Sequence, residues 1–138
     1  MAVSDSTHRM AAADVMDRIK AIAGTEADAP VTMLNLNRYT AAADFPNGSE
    51  YERYMADLEA AVGNVGGSVL WRTPVAEQVI GCDHERYDEM LAVWYPSRKA
   101  FLALPTADRA KQMFAGRKIC VEQATILELA ADKHPFSR

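Results

Sequence analysis

Residues 31–39 read VTMLNLNRY, an apolar run with two amides, Asn35 and Asn37, in its middle. The run has the length and composition of a buried β-strand. Successive side chains of a strand point to opposite faces, so the two amides share one face while Leu34 and Leu36 share the other. Burying an amide without a hydrogen-bond partner costs about 1–3 kcal/mol. Each amide must therefore bind backbone, water or a ligand.

Three helical patterns accompany this strand. Apolar residues spaced as on one helix face predict an N-terminal helix that stops at Gly24. Ser49 and Glu52 form a capping-box pattern, which predicts a second helix that begins at Ser49 and ends at Gly63. The predicted helices are residues 12–23, residues 49–63, and a broken helix that starts after Ser97, is interrupted at Pro105 and continues from Thr106 to about Gly116.

Three further segments have the pattern of strands. Residues 67–80 are rich in strand formers, but Pro74 cannot donate a hydrogen bond to a neighbour, so we expect an edge strand that bends or bulges there. Residues 88–95 and 121–130 supply the last two strands. The order after the first helix is β-α-β-β-α-β, which predicts an α+β, ferredoxin-like sandwich with an extra N-terminal helix. The predicted regions are an N-terminal helix and linker at 1–29, the ferredoxin-like domain at 30–131 and a polar tail at 132–138.

The first and third strands are the middle strands of this topology, and both are apolar on both faces. Two helices cover only one face of a four-stranded sheet, so the other face also needs cover. Either the N-terminal helix or a second copy of the chain would supply it. Because a second copy covers more area, we expect a homodimer.

Composition narrows the class of protein. The chain has 138 residues, 49% of them apolar and 25% charged, which is ordinary for one globular domain. A net charge of −4 without a basic cluster argues against nucleic-acid binding. The chain lacks both a leader-like apolar segment at its start and any run of 18 apolar residues, so we expect a cytoplasmic protein that does not span a membrane.

Cysteine and histidine spacing predicts no metal site. Cys82 and Cys120 are far apart and belong to no C-x-x-C motif. His8, His84 and His134 are equally scattered, so no two of them would share a helix face as metal ligands do. We expect neither a metal nor another cofactor.

Several segments resemble one known family. They are MLNLNRY at 33–39, SEYERYM at 49–55, VGGSVLW at 65–71, VIG at 79–81, AVWYPSRKAFLAL at 92–104 and GRK at 116–118. Over roughly residues 30 to 130 the chain resembles the bacterial family called Domain of Unknown Function thirteen-thirty, a branch of the dimeric α+β barrel superfamily. The most specific pieces are LN-L on the first strand and YPS-R-x-x-F at the end of the third. The N-terminal helix is a departure from short members of that family.

The resemblance implies a barrel built from two facing sheets, with the helices outside and a cleft between sheet and helices in each subunit. Members of the superfamily include cofactor-independent monooxygenases, muconolactone isomerases, polyketide cyclases and some haem enzymes. The resemblance therefore implies a small-molecule ligand, but the family itself has no settled activity.

Candidate site residues follow from their chemistry and their predicted positions. Asn35 and Asn37 would bind a ligand oxygen, Tyr51 and Tyr54 would line the cleft or donate a proton, and His84 has a pKa suited to a base. Arg117 would hold negative charge. The candidate catalytic residues are Asn35, Tyr54, His84 and Arg117. The candidate ligand-binding residues are Asn37, Tyr39, Tyr51, Trp71 and Tyr95.

Each of these residues also has a structural alternative. The amides would bind backbone, the aromatic residues would pack in the core, and His84 and Arg117 would be solvated at the surface. Two functions stay open: a cofactor-independent isomerase, cyclase or monooxygenase, and a non-catalytic ligand-binding or structural homodimer. Haem binding is a poorer third hypothesis, because His84 is the only candidate axial ligand in the folded body.

Overall fold

The computed structural model describes residues 13–130, which form one antiparallel sheet with helices packed against a single face. Residues 13–22 are helical and form the described part of α1. The other elements are β1 (Val31–Tyr39), α2 (Ser49–Asn64), β2 (Ser68–Pro74), β3 (Glu89–Tyr95), α3 (Arg98–Ala103), α4 (Ala110–Cys120) and β4 (Val121–Glu128). The strand order is β2-β3-β1-β4, and each neighbouring pair is antiparallel. This is the predicted ferredoxin-like α+β fold.

The pairing of β1 with β3 decides which side chains face the helices. Asn37 lies opposite Glu89, and Val31 lies opposite Tyr95. Strand alternation then puts the odd-numbered residues of both strands on one face, the inner face, beneath the helices. Met33 and Leu91 are buried there with side chains from α2 and α4. The buried apolar core on this side includes Tyr39, Tyr51, Tyr54, Met55, Val62, Val93, Tyr95 and Met113.

The start of α2 differs from the capping-box prediction. The N-cap residue is Gly48, not Ser49, and Gly48 has no side chain with which to cap the helix. A Cβ at this position would stand 2.1 Å from the carbonyl oxygen of Ala43, so the close approach of two backbone segments requires glycine. The predicted Ser49–Glu52 box was therefore wrong, although the helix itself is present.

Two other boundaries differ as well. The edge strand β2 ends at Pro74 instead of continuing to residue 80, and its register shifts between Val69 and Trp71. Proline cannot extend the ladder, which explains the end of the strand. The second part of the broken helix runs to Cys120, beyond the expected Gly116. Gly116 lies against the backbone of Tyr54, so it allows α2 and α4 to pack closely instead of ending the helix.

The N-terminal helix packs on the helical side of the sheet. Ile19 is buried in the core, and Met16 packs against that core. After Gly24, the Asp28 carboxylate accepts backbone N–H bonds from Arg98 at 2.8 Å and Lys99 at 3.1 Å at the start of α3. Ser97 caps the same helix, as expected, by accepting a hydrogen bond from the backbone N–H of Ala100. The predicted tail at 132–138 lies outside the described residues.

The opposite face of the sheet, the outer face, carries a band of apolar side chains. The four α-helices of residues 13–130 all pack on the inner face. At the outer face, the loop before β3 covers one end, where Arg38 donates hydrogen bonds to the carbonyl oxygens of Asp83, His84 and Arg86. The remaining apolar side chains of this face are Leu34, Leu36, Trp71, Met90, Trp94 and Leu127, which are half-buried or exposed.

Candidate functional site

A cleft of about 210 Å³ lies between the inner face of the sheet and the helices. The sheet contributes Met33, Leu91, Val93 and Ile126 to its walls. The helices and the turn that follows α3 contribute Met16, Leu58, Phe101, Leu102, Leu104, Pro105, Met113 and Phe114. Clefts with mostly apolar walls and a few polar groups are typical of small-molecule sites. Met16 brings the N-terminal helix into this wall, a role that the sequence did not predict.

The polar groups of the cleft come from both walls. Asn35 and Asn37 lie on β1, Tyr95 ends β3, Tyr54 lies on α2 and Arg117 on α4. Five of the predicted site residues therefore meet in one cleft. They meet because the amide face of β1 is the inner face, directly beneath α2 and α4.

Arg117 has an unusual electrostatic environment. Of the three half-buried arginines among residues 13–130, Arg38 and Arg98 form ion pairs with carboxylates, whereas Arg117 forms none within that part of the chain. Burial raises the pKa of Tyr54 to about 12, and the Arg117 guanidinium beside the hydroxyl opposes the increase through its charge and a hydrogen bond. Arg117 is therefore a half-buried cation that faces the cleft next to a protonated phenol.

The two amides each use their NH₂ group within the protein. Asn35 Nδ2 donates to the carbonyl oxygen of Met33 at 3.3 Å. Asn37 Nδ2 donates to the Tyr39 hydroxyl at 3.2 Å. Both amides are thus anchored by local hydrogen bonds, as the structural alternative supposed, and both also line the cleft.

Behind Asn37 lies a buried carboxylate that the sequence analysis missed. Glu89 is only 2% exposed and accepts two phenolic hydrogen bonds. Tyr39 donates to Oε1 at 2.5 Å, and Tyr51 donates to Oε2 at 2.6 Å. Arg72 donates in turn to the Tyr51 hydroxyl at 2.7 Å. Strand alternation could have indicated its burial, since Glu89 is odd-numbered like the other inner-face residues of β3.

Both phenols of this cluster stay protonated at neutral pH. Burial raises the pKa of Tyr39, and its hydrogen bond to Glu89 raises it further. Burial and the same carboxylate raise the pKa of Tyr51, although the Arg72 guanidinium opposes the increase. Tyr39 and Tyr51 therefore serve as hydrogen-bond donors to Glu89. Neither residue lines the cleft. Arg72 connects the cluster to the surface through Glu59, whose Oε1 lies 3.6 Å from Arg72 Nε.

Two other predicted residues lie away from the cleft. His84 is exposed in a short 3-10 helix, Asp83–Glu85, and its carbonyl oxygen accepts hydrogen bonds from Arg38 and Gln123. Trp71 lies opposite Ala92 on the outer face. The structure therefore brings neither side chain to the inner-face site.

An open groove of about 420 Å³ adjoins the cleft. Phe114 and Arg117 line both spaces, and Lys118 lines the groove. Arg117 thus stands where the apolar cleft opens toward solvent. Within residues 13–130, no three His, Cys, Asp or Glu side chains are arranged to hold a metal ion. The same part of the chain has no helix with the length and hydropathy needed to span a bilayer.

Fold and site together define a ferredoxin-like α+β protein with an apolar cleft beneath its sheet. No protein-family model and no curated protein matches the chain. Among solved structures, it resembles a protein of unknown function from Rhodopseudomonas palustris at 25% sequence identity. That match has a TM-score of 0.68 and covers 86% of this chain and 92% of that chain.

Two more distant structures share the fold. One is a DABB-family protein with a ferredoxin-like fold from Mesorhizobium loti, at 10% identity and a TM-score of 0.55, covering 75% of this chain and 97% of that chain. The other is described as a dimeric ferredoxin-like protein of unknown function from Thermobifida fusca. It matches at 12% identity with a TM-score of 0.50, covering 75% of this chain and 92% of that chain. These similarities establish the ferredoxin-like fold.

Proposed function

We propose that the cleft binds a compact, mainly apolar molecule through a negatively charged oxygen held by Arg117. The observation that carries this proposal is a half-buried guanidinium, without a carboxylate partner among the described residues, at the polar end of an apolar cleft. Arginine offers a planar set of N–H donors that matches a carboxylate or an enolate. The ligand supplies the missing negative charge.

The same arrangement supports a cofactor-independent enzyme of the isomerase, cyclase or monooxygenase type. Such reactions pass through species with negative charge on oxygen, and donors that are fixed before the reaction stabilise that charge most strongly in a site that excludes water. Arg117 and the protonated Tyr54 hydroxyl would be these donors, and the apolar walls would exclude water. His84, away from the cleft, has no part in this proposal.

The alternative is a ligand-binding protein without catalysis. It is supported by the lack of a histidine or carboxylate among the cleft-lining side chains of the described residues. The nearby Glu89 carboxylate lies outside that lining and already accepts two phenolic hydrogen bonds. Incubating the protein with a cell extract, followed by untargeted mass spectrometry, separates the two functions. An enzyme depletes one compound and accumulates another, whereas a binding protein retains a compound unchanged.

Binding itself is tested with benzoate and its neutral analogue benzamide. We expect benzoate to bind more tightly, and Arg117→Met to remove the preference, because a hydrogen bond to a charged group contributes about 1.5–3 kcal/mol. Lys111→Met is the matched control, since Lys111 is an exposed cation on the same helix. Equal binding of the two compounds to the unmodified protein would contradict the proposal.

We also propose that the protein is a homodimer in which two outer faces meet as an α+β barrel. Leu34, Leu36 and Trp94 form an apolar band there, and the described part of α1 packs on the other face of the sheet. The described dimeric state of the Thermobifida fusca protein supports the same arrangement. Large exposed apolar patches are typical of interaction surfaces.

Light scattering after size-exclusion chromatography tests the dimer. At micromolar concentration we expect twice the chain mass for the unmodified protein and the single chain mass for Leu36→Glu, which places a charge in the band. Glu122→Leu, an exposed position on β4, is a surface control that should remain dimeric. A monomeric unmodified protein would refute the barrel.

Membership in the thirteen-thirty family and a cytoplasmic location are retained as predictions.

A further inference from the structure

The two strand amides present their oxygens to the cleft. Asn35 Nδ2 and Asn37 Nδ2 are occupied by Met33 and Tyr39. Neither Oδ1 accepts a hydrogen bond from the described residues, and every fully buried side-chain polar atom among those residues has a partner. Neither oxygen is therefore fully buried, and because Asn35 and Asn37 both line the cleft, we place the two oxygens at its surface. The strand wall offers acceptors.

Glu89 fixes the direction of the hydrogen bonds that orient Asn37. The Tyr39 hydroxyl has one O–H group, and it donates this single hydrogen bond to Glu89 Oε1. The Tyr39 oxygen is then an acceptor, and only the NH₂ group of Asn37 can donate to it. On the other side, Tyr51 donates a hydrogen bond to Oε2, and Arg72 donates one to the Tyr51 hydroxyl. The cluster holds the Asn37 amide in one of its two flipped orientations.

The helical wall of the cleft has the opposite character. Arg117 has donors only, and the Tyr54 hydroxyl stays protonated. A ligand that satisfies both walls therefore needs an anionic oxygen for α4 and a hydrogen-bond donor for β1, joined by an apolar body. We infer that the cleft selects a compact hydroxy-substituted carboxylic acid, and that Tyr39 and Glu89 are positioning residues that act through Asn37. This inference rests on the proposed function of the cleft.

Discrimination should appear between a hydroxyl group and its methyl ether. A ligand hydroxyl donates a hydrogen bond to an Asn Oδ1. A methoxy group has no hydrogen to donate, and its oxygen would face the Oδ1 as a second acceptor. A site built to accept a hydrogen bond rejects an analogue that lacks the donor, because its own buried polar group is left unpaired. We expect a difference of about tenfold or more in the dissociation constant.

The probes are benzoate, 3- and 4-hydroxybenzoate, and 3- and 4-methoxybenzoate, measured by isothermal titration calorimetry on the full chain. Salicylate is omitted because its hydroxyl bonds its own carboxylate. We expect at least one hydroxybenzoate to bind about tenfold more tightly than its methoxy counterpart and than benzoate.

Three variants separate positioning from stability. Tyr39→Phe removes the acceptor that holds the Asn37 amide, and Glu89→Gln allows the hydrogen bonds to run in either direction. In both variants we expect the ratio of hydroxyl to methoxy affinity to fall toward one, while both acids continue to bind. Tyr87→Phe is the matched control, because the Tyr87 hydroxyl bonds Thr125 Oγ1 at 2.6 Å outside the cleft. Its ratio should equal that of the unmodified protein.

The outcomes distinguish failure of the selectivity inference from failure of the proposed function. If the acids bind through Arg117 but hydroxy and methoxy partners bind equally, or if Tyr39→Phe and Glu89→Gln both keep the ratio, the selectivity inference is overturned and the proposed function stands. If no acid binds, or if binding is unchanged in Arg117→Met, the proposed function fails and the inference fails with it. Circular dichroism of each variant confirms that a change in ratio comes from a folded protein.

Discussion

Replacing Glu89 by leucine should destabilise the protein through the two phenols that the carboxylate now satisfies. Tyr39 and Tyr51 donate to it at 2.5 and 2.6 Å, and both residues are buried. Each buried hydroxyl left without its acceptor costs about 1–3 kcal/mol, so Glu89→Leu should lower the free energy of unfolding by about 2–6 kcal/mol. The Arg72 side chain is 38% exposed, so water replaces its ion pair and it adds little.

The decisive variant removes the phenolic hydroxyls as well. Tyr39→Phe and Tyr51→Phe combined with Glu89→Leu remove both phenolic donors together with their acceptor, and removing both partners of a hydrogen bond costs far less than removing one. One buried donor, the NH₂ group of Asn37, loses its acceptor when the Tyr39 hydroxyl is removed, so the rescue is partial. We therefore expect the triple variant to be more stable than Glu89→Leu alone. Such rescue would show that the cost comes from unsatisfied hydroxyls and not from lost volume.

Urea unfolding at one fixed protein concentration measures these differences, and the fixed concentration is needed because the stability of the proposed dimer would depend on concentration. Glu59→Leu is the control: its carboxylate also pairs with Arg72 but is 53% exposed, so its removal should cost less than about 1 kcal/mol. A triple variant less stable than Glu89→Leu, or a Glu89→Leu cost below that of Glu59→Leu, would refute the reasoning.

Two further predictions concern the backbone and acid stability. Gly48→Ala should destabilise the protein by about 1–3 kcal/mol, since the new Cβ would stand 2.1 Å from the Ala43 carbonyl oxygen. Gly63→Ala, with nothing within 4 Å of its Cβ, should stabilise the helix by about 0.5–1 kcal/mol. Thermal unfolding that ranks the two variants in the reverse order would contradict this packing. Burial opposes ionisation of Asp28, but four backbone N–H donors outweigh it and hold the pKa of its carboxyl below the ordinary value of 3.8. The unfolded chain then binds the proton more readily, so this stabilisation is present above that value and is lost as the pH falls through the lower, folded pKa. Asp28→Asn should flatten that part of the curve of stability against pH, and an unchanged acid limb would contradict the assignment.

The fold was predictable because its signals are periodic. Alternation in β1 identified the amide face, and a proline placed β2 at an edge. Local backbone approach was not predictable: the close contact between Gly48 and Ala43, which made the capping-box prediction wrong, joins two segments in a way that no local pattern records. The end of α4 was not predictable for the same reason: Gly116 does not end the helix but lets α4 pack closely against Tyr54 of α2.

The candidate site was predictable in part. Asn35, Tyr54 and Arg117 were identified by residue chemistry and lie in one cleft. Glu89 escaped because a carboxylate at the start of a strand resembles the end of a polar loop, and only the tertiary partners Tyr39 and Tyr51 make its burial possible. Side-chain pairing across elements is what sequence spacing does not encode.

The central claim is that the Arg117 guanidinium faces the cleft as a receptor for an anionic oxygen. The most direct measurement is the ¹⁵N–¹H NMR spectrum of the arginine Nε–H groups during titration with benzoate, with the Arg117 signal assigned by its loss in Arg117→Met. Saturable displacement of that signal by benzoate, and much less by benzamide, is the expected result. If the Arg117 signal stays in place while benzoate binds, or if the signals of exposed arginines alone move, the anion binds elsewhere and the account is wrong.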